Sequence, residues 1–292
     1  MIDVHCHLNF HSFEKDYDEV IKNALHAGVT KIINVGTKID SSEKAVELAN
    51  THENLFAIVG VHPHHADKVF TRHPGAPSFD GAIGSPSRDS IASLQNDNTD
   101  WVGKLEELAK KPKVVAIGEI GMDYFRYKSN VTPDPKLQKE VFLKQIELAH
   151  RLKLPLQIHN RHAGKDILDI LSNHKRYLMS PPGMFHCMSG NHDFLKKVLN
   201  LGFYVGFDGN ITYKGLAPGE TVELKELVSY TPLDRILTET DSPFLTPEPL
   251  RGSKNKPEYV IIIGKFIAEL KGISFEKLQA QTTKNAADLF NL

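Results

Sequence analysis

His5 and His7 stand one residue apart at the end of a short apolar run, IDVHCH (2–7). If that run is a strand, residues i and i+2 share a face. Two imidazoles on one face can then grip one object, and a metal ion is the common choice. Later apolar runs end in the same residue types. His62 closes LFAIVGVH (55–62), Glu119 lies in VVAIGEIG (114–121) and His159 in PLQIHN (155–160). His186 lies in GMFHCM (183–188) and Asp241 closes RILTETD (235–241). A lone histidine at a strand end is usually a hydrogen-bonded structural residue, and a lone acid there is often a helix cap or a surface charge. Seven metal-capable residues on six run ends are hard to obtain from packing. Together they have the composition of a hydrolytic metal site.

The donor set suggests a layout. Nitrogen and oxygen ligands suit Zn²⁺ or Mn²⁺, and an open site takes Mg²⁺ as well. Six or so ligands exceed what one ion with a free catalytic position needs, whereas two divalent ions bridged by a carboxylate use them all. Glu119, from a middle strand, is the natural bridge. His5 and His7 would hold one ion, and His159 and His186 the other. Asp241 would ligate and also take a proton from metal-activated water.

The elements that must position these residues alternate along the chain. To the runs above are added KIINVG (31–36) and FYVGFDG (203–209), making eight strand candidates. They are near-continuous Val/Ile/Leu runs, as strands buried on both faces should be. Between them lie helical patterns. Phe13, Tyr17, Val20, Ile21 and Ala24 recur at helical spacing, with Ser12 as N-cap and Gly28 as stop. Phe142, Ile146, Ala149 and Leu152 repeat the pattern. Further helices are expected over 40–52, 101–111, 163–175, 191–200, 220–229, 256–271 and 275–290. Eight β units separated by helices predict an α/β fold, the (β/α)8 TIM barrel, in which the strand ends converge on one C-terminal face. A doubly wound open sheet is the alternative. The segment 70–100 is rich in Gly, Pro, Ser, Asp and Asn and reads as a loop insertion after the third strand. With no linker in sight, 1–292 reads as one domain.

Composition excludes several classes. Net charge is −1, so no global basic field draws in a polyanion, which must be held by local charge or metal. Two cysteines, Cys6 and Cys187, form no disulfide framework, and a cytoplasmic location is expected. No run is long enough to span a membrane, and nothing points to an obligate protein partner.

The chain resembles the TatD family of metal-dependent deoxyribonucleases, within the amidohydrolase superfamily of barrels. The resemblance rests on DVHCHL (3–8), VGVHPH (59–64), AIGEIGMDYF (116–125), PLQIHNRHA (155–163), FHCMSG (185–190), TETDSPFLTP (238–247), RGSKNKP (251–257) and TTKNAADLF (282–290), in family order. It implies a divalent-metal hydrolase, with two metals in many members, acting on DNA phosphodiesters as a 3′–5′ exonuclease or an endonuclease. It also implies His5, His7, Glu119, His159, His186 and Asp241 as ligands, and His62 as substrate-facing rather than ligating. Some relatives resembling the family act on the ester of a mischarged aminoacyl-tRNA. The C–N hydrolases of the superfamily often bridge their metals with a carboxylated lysine on the fourth strand, where this chain offers Glu119. The departures are His162 in place of an acid, Met188 in place of an aromatic, and the long insertion at 70–100.

For a phosphodiester, cations must neutralise nonbridging oxygens. Arg161 lies two residues past His159. Arg251, Lys254 and Lys256 form a basic patch on the loop after the last strand. Such contacts carry no sequence information, so DNA binding with little sequence specificity is expected. Tyr124 and Phe125 follow the fourth strand, placed to stack on a base or to pack in the core.

Overall fold

The structure is a computed structural model and describes residues 1–69, 101–126 and 132–292. The insertion expected at 70–100 lies outside the described residues. Eight parallel strands run in sequence order around the sheet: β1 (Ile2–Cys6), β2 (Lys31–Val35), β3 (Leu55–Val59), β4 (Val114–Asp123), β5 (Leu156–Arg161), β6 (Gly183–Phe185), β7 (Tyr204–Phe207) and β8 (Ile236–Thr238). The first and last meet through a parallel bridge between Cys6 and Ser242. Thr238 Oγ1 donates to the Ile2 carbonyl at 3.1 Å beside it. The expected TIM barrel is therefore formed.

Helices alternate with the strands: α1 (Tyr17–His26), α2 (Ile39–Thr51), α3 (Trp101–Ala109), α4 (Pro135–Leu152), α5 (Gly164–Asn173), α6 (His192–Asn200), α7 (Leu224–Tyr230), α8 (Val260–Lys271) and α9 (Phe275–Phe290). Among the described residues no helix is long and apolar enough to cross a membrane. Each packs an apolar stripe on the sheet. Phe142 and Ile146 of α4, Ile167 of α5 and Leu195 of α6 join Ile117, Ile158 and Phe185 in the layer between strands and helices. A second apolar cluster fills the barrel, with Val4, Ile33, Val35, Ile58, Met184 and Leu237 among its members. Ala286, Leu289 and Phe290 of α9 belong to it too.

Most boundaries agree with the sequence pattern to within a few residues; the helices expected from 220 and 256 begin at Leu224 and Val260, and the first helix also starts late. A 3₁₀ turn covers His11–Phe13, and α1 begins only at Tyr17, so Ser12 is no N-cap. Phe13 is buried in the core, and the Ser12 carbonyl accepts from Lys254 at 2.9 Å, which hold this turn apart from the helix. The expected stop is present, since Gly28 has φ +96°.

Two irregularities in strand register matter for the site. Between Asp3 and Cys6 the first strand advances three residues while its neighbour advances two, from Ile32 to Asn34. Between Ile117 and Ile120 the fourth strand does the same against Leu156 and Ile158. Each is a bulge with one extra residue, and a bulge re-aims side chains. Val4 belongs to the barrel interior, yet Cys6 lies in the strand–helix layer with Sγ 3.5 Å from the Ile33 carbonyl. His5 lies inside the first bulge and Glu119 inside the second.

Just past that second bulge, Gly121 has φ +136°, and a Cβ there would lie 2.1 Å from the His159 carbonyl oxygen. The close approach of β4 to β5 beside His159 thus requires glycine. Gly121→Ala is expected to cost roughly 3 kcal/mol or more. Gly28→Ala, with open space around it, should cost only about 1–2 kcal/mol for its backbone conformation. Urea unfolding of both variants measures this, and equal costs would show that the approach to His159 is not limiting.

Candidate metal centre

The strand ends bring six of the expected residues to one place. His5 comes from β1 and His7 follows that strand by one residue, Glu119 comes from β4 and His159 from β5. His186 follows β6 by one residue, and Asp241 follows β8 by three. His5 and Glu119 are buried, and the Asp241 side chain is 14% exposed. The backbone that carries them is tied across the seam. Asp241 N–H donates to the His5 carbonyl at 2.9 Å, and His7 N–H to the Ser242 carbonyl at 2.8 Å. Asp241 itself takes a left-handed conformation, φ +53°, which Asp tolerates better than most residues.

Glu119 stands between two histidine pairs. Its Oε1 is 2.8 Å from His159 Nδ1 and 2.9 Å from His186 Nε2. Its Oε2 is 3.8 Å from Nε2 of both His5 and His7. Asp241 Oδ1 lies 3.5 Å from the same two nitrogens. Within each pair the nitrogens nearly touch: His5 Nε2 to His7 Nε2 is 3.1 Å, and His159 Nδ1 to His186 Nε2 is 3.2 Å.

Hydrogen bonds on the far sides of the rings fix which nitrogens point inward bare. A carbonyl only accepts, so His7 Nδ1, 2.9 Å from the Val35 oxygen, carries a hydrogen. In the neutral ring its Nε2 is then a lone pair facing other acceptors. His159 Nε2 faces Asp123 Oδ2 at 3.2 Å and so carries a hydrogen, which leaves Nδ1 for the centre. Lone pairs packed this closely need a proton or a cation among them. The donor set of four imidazoles and two carboxylates fits divalent metal. His5, His7 and Asp241 form one group with mutual ligand spacing.

The electrostatics point the same way. Burial opposes charge on His159, but its bonds to Asp123 and Glu119 outweigh this and raise its pKa to about 9. Burial likewise opposes charge on His7, yet Asp241 raises it. Burial and the neighbouring His186 hold His5 well below the usual histidine range. Burial would raise the Glu119 carboxyl, but His62, His186 and His159 bring it well below its usual value.

His62 has a different posture. It lies past the end of β3, not on the strand as its run suggested. The His64 amide donates to its Nδ1 at 3.1 Å, so the hydrogen sits on Nε2, which points at Glu119 Oε1 from 3.4 Å. It offers a donor rather than a lone pair, although its spacing to Glu119 and His159 would suit a ligand. Arg161 is exposed at the end of β5, its guanidinium 4.1 Å over the Phe125 ring. Arg251 is exposed, 4.0 Å over the Tyr213 ring. The basic patch is partly engaged inside the protein: Lys254 Nζ is 2.7 Å from Asp16 Oδ2, and Lys256 is 3.9 Å from Glu258. Tyr124 donates its hydroxyl to Asp166 and packs on the core.

Sequence reasoning missed two acids. Asp123, fully buried at the end of β4, faces both His159 and His64 Nε2, the latter at 2.8 Å. It lies four residues past Glu119, on a strand two residues longer than expected and inside AIGEIGMDYF. Glu239, two residues before Asp241, is fully buried and accepts from the Cys187 amide. Its Oε2 and the Nδ1 atoms of His5 and His186 have no hydrogen-bond partner among the described residues, and His186 Nδ1 lies 3.9 Å from Glu239 Oε1. Burial, then the neighbouring Asp208, pushes the Glu239 carboxyl well up.

The family model described as TatD related DNase matches residues 2–291. The chain belongs to that family. An uncharacterized metal-dependent hydrolase of Bacillus subtilis (strain 168), YabD, is 36% identical over 293 residues, covering 100% of this chain and 99% of its own. A protein of Erwinia tasmaniensis named 3′-5′ ssDNA/RNA exonuclease TatD is 33% identical over 301 residues, with 100% of both chains covered. The crystal structure of a TatD homologue from Escherichia coli K12 superposes with a TM-score of 0.79 at 27% identity, covering 100% of this chain and 98% of that one. The class follows from the family: a metal-dependent hydrolase.

For a TatD-family barrel the protonation of His159 has a measurable consequence. Without metal it holds its second proton up to about pH 9. Below that pH a cation must displace the proton to reach Nδ1, so binding releases it. Apparent metal affinity should therefore climb as pH rises from about 7 towards 9 and flatten above, by up to about tenfold per pH unit. Calorimetry at pH 7.5 in two buffers of different ionisation enthalpy measures the release. No proton release would contradict the assignment of His159.

Proposed function

We propose that the cluster holds two divalent ions and hydrolyses DNA phosphodiesters, in the manner of a 3′–5′ exonuclease. One observation carries the reading: the two oxygens of Glu119 face two separate histidine pairs, each with its nitrogens about van der Waals distance or less apart. In this reading His5, His7 and Asp241 would hold one ion and His159 and His186 the other, with Glu119 a ligand between the two pairs. The set takes Zn²⁺, Mn²⁺ or Mg²⁺, with the four imidazoles favouring the first two. Ions bound there supply Lewis-acid charge to a nonbridging oxygen and lower the pKa of water.

The chain's own residues do the rest. Asp241, the least buried of the acids at the mouth, takes the proton given up by the attacking water. Glu119 keeps its negative charge in a buried place because the surrounding imidazoles hold it ionised. The Nε2–H of His62 donates to a phosphate oxygen that approaches Glu119. Arg161 and Arg251 meet the backbone on either side, and since they touch phosphate rather than base edges the cleavage has little sequence preference. Asp123 fixes the ring of His159. The names of relatives such as the Erwinia exonuclease support a nucleic-acid substrate. A single domain working in the cytoplasm completes the reading.

The test is cleavage of end-labelled single- and double-stranded DNA by protein stripped of metal and reloaded with Mg²⁺, Mn²⁺ or Zn²⁺. His159→Ala is expected to abolish cleavage, and no cleavage with any metal would sink the proposal. Asp123→Asn should weaken metal binding by about 10- to 100-fold while the fold is kept. Unchanged binding by metal titration would mean that His159 needs no such support.

A further inference from the structure

Among the described residues three large hydrophobic side chains are strongly exposed: Leu216, Tyr230 and Phe244. A single exposed apolar side chain is ordinary. Phe244 differs in where it sits and how firmly it is held. It follows Asp241 by three residues and is 52% exposed. Its amide donates to the Asp241 carbonyl at 2.8 Å. Its carbonyl accepts from Nδ2 of Asn255, a fully buried residue whose Nδ2 also reaches the Thr240 carbonyl at 2.8 Å. The Asn255 amide in turn donates to the Pro243 carbonyl at 3.2 Å. The backbone under the ring is thus pinned on both sides to the segment that carries Asp241.

The ring also belongs to an aromatic group on the rim of the centre. Phe10 stacks on His7 with centroids 4.3 Å apart and planes 12° from parallel. Phe244 meets Phe10 edge-on at 6.2 Å and lies 6.5 Å from the His7 ring. The apolar surface left in water is therefore flat, rigid and adjacent to the groups that would hold a phosphate. The aromatics expected from sequence to meet a base are otherwise employed. Tyr124 binds Asp166, and Phe125 carries the Arg161 guanidinium over its ring.

We propose that Phe244, backed by Phe10, is a stacking platform for a nucleobase of the strand whose phosphodiester lies at the centre. The inference rests on the nucleic-acid reading above and specifies the form of nucleic acid. Every base has a π-face, so the platform is tolerant of sequence. A base must leave its own stack to reach it, so single strands and frayed ends are favoured over intact duplex. The ring fixes the base while Arg161, Arg251 and the centre engage phosphate, so that base and phosphate contacts are made by different groups.

The test is a cycle between protein and substrate with the metal-loaded enzyme. Single-stranded oligonucleotides carrying a normal or an abasic 3′-terminal nucleotide are cleaved by the wild type, Phe244→Ala and Phe244→Tyr. Phe244→Ala should lose between about five- and a hundredfold in kcat/KM on the normal strand. Removal of the base should cost the wild type a similar factor and cost Phe244→Ala little, because the same contact is already gone. Phe244→Tyr should retain the wild-type preference. Fluorescence anisotropy with metal-free protein reads the same contact without turnover, and Phe244→Ala should weaken single-strand binding there too. Additive losses, or an unaffected Phe244→Ala, would overturn the platform alone. No cleavage of any oligonucleotide would overturn the nucleic-acid reading and the platform with it.

Discussion

Four imidazoles and two carboxylates meet at the mouth of this barrel, most of them out of water, and their lone pairs point at one another. Nitrogens 3.1 and 3.2 Å apart, with carboxylates beside them, repel unless a proton or a cation sits between them. In metal-free protein, protons fill that place where they are held most strongly, on His7 and on His159. A divalent ion fills it better, since one ion satisfies several lone pairs at once. Such a group would disperse if the chain were free, so the fold must hold it together at a cost in stability. That is the usual trade at a functional site.

The holding is done by strand geometry. Regular alternation from Ile2 and Val4, which face the barrel interior, would send Cys6 inward and turn its neighbours away from the mouth. The extra residue in the first strand reverses this, so that Cys6 packs outward and His5 and His7 turn to the centre. The extra residue between Ile117 and Ile120 surrounds Glu119 in the same way. Beyond it, Gly121 lets β4 press against the strand that carries His159. Two bulges on strands that are not neighbours thus aim the His5–His7 pair and the carboxylate between the pairs at one point.

This explains what the sequence made legible. Strand-end histidines and acids were visible because a parallel barrel brings every strand end to one rim, whatever the local register. With His5 and His7 sharing one face, Cys6 between them takes the other and packs outward. Local detail was hidden where tertiary contacts decide it. The start of α1 depends on Phe13 entering the core and on Lys254, more than two hundred residues away, reaching the Ser12 carbonyl. Asp123 and Glu239 were missed because a carboxylate behind a histidine has no spacing rule of its own. Its role depends on which nitrogen of the ring it faces, and that is set in three dimensions. The direction of His62 was equally hidden, since it turns on a backbone amide two residues later donating to Nδ1.

The seam of the barrel and the centre are one construction. Strands β1 and β8 meet through Cys6 and Ser242, and the flanking bonds join His7 to Ser242 and Asp241 to His5. The backbone that closes the sheet is therefore the backbone that sets His5, His7 and Asp241 against each other. Asp3 reinforces the same seam: its carboxylate accepts from the Thr240 amide at 3.0 Å and the Thr240 hydroxyl at 2.7 Å. Burial raises the Asp3 carboxyl to about 8, against the pull of those bonds, so it too is poised between charge states under the centre. A slip of one residue at this junction would open the barrel and scatter the ligand set together. The first seven residues of the chain can only act once the last strand has arrived, which ties the chemistry of the N-terminus to completion of the whole fold.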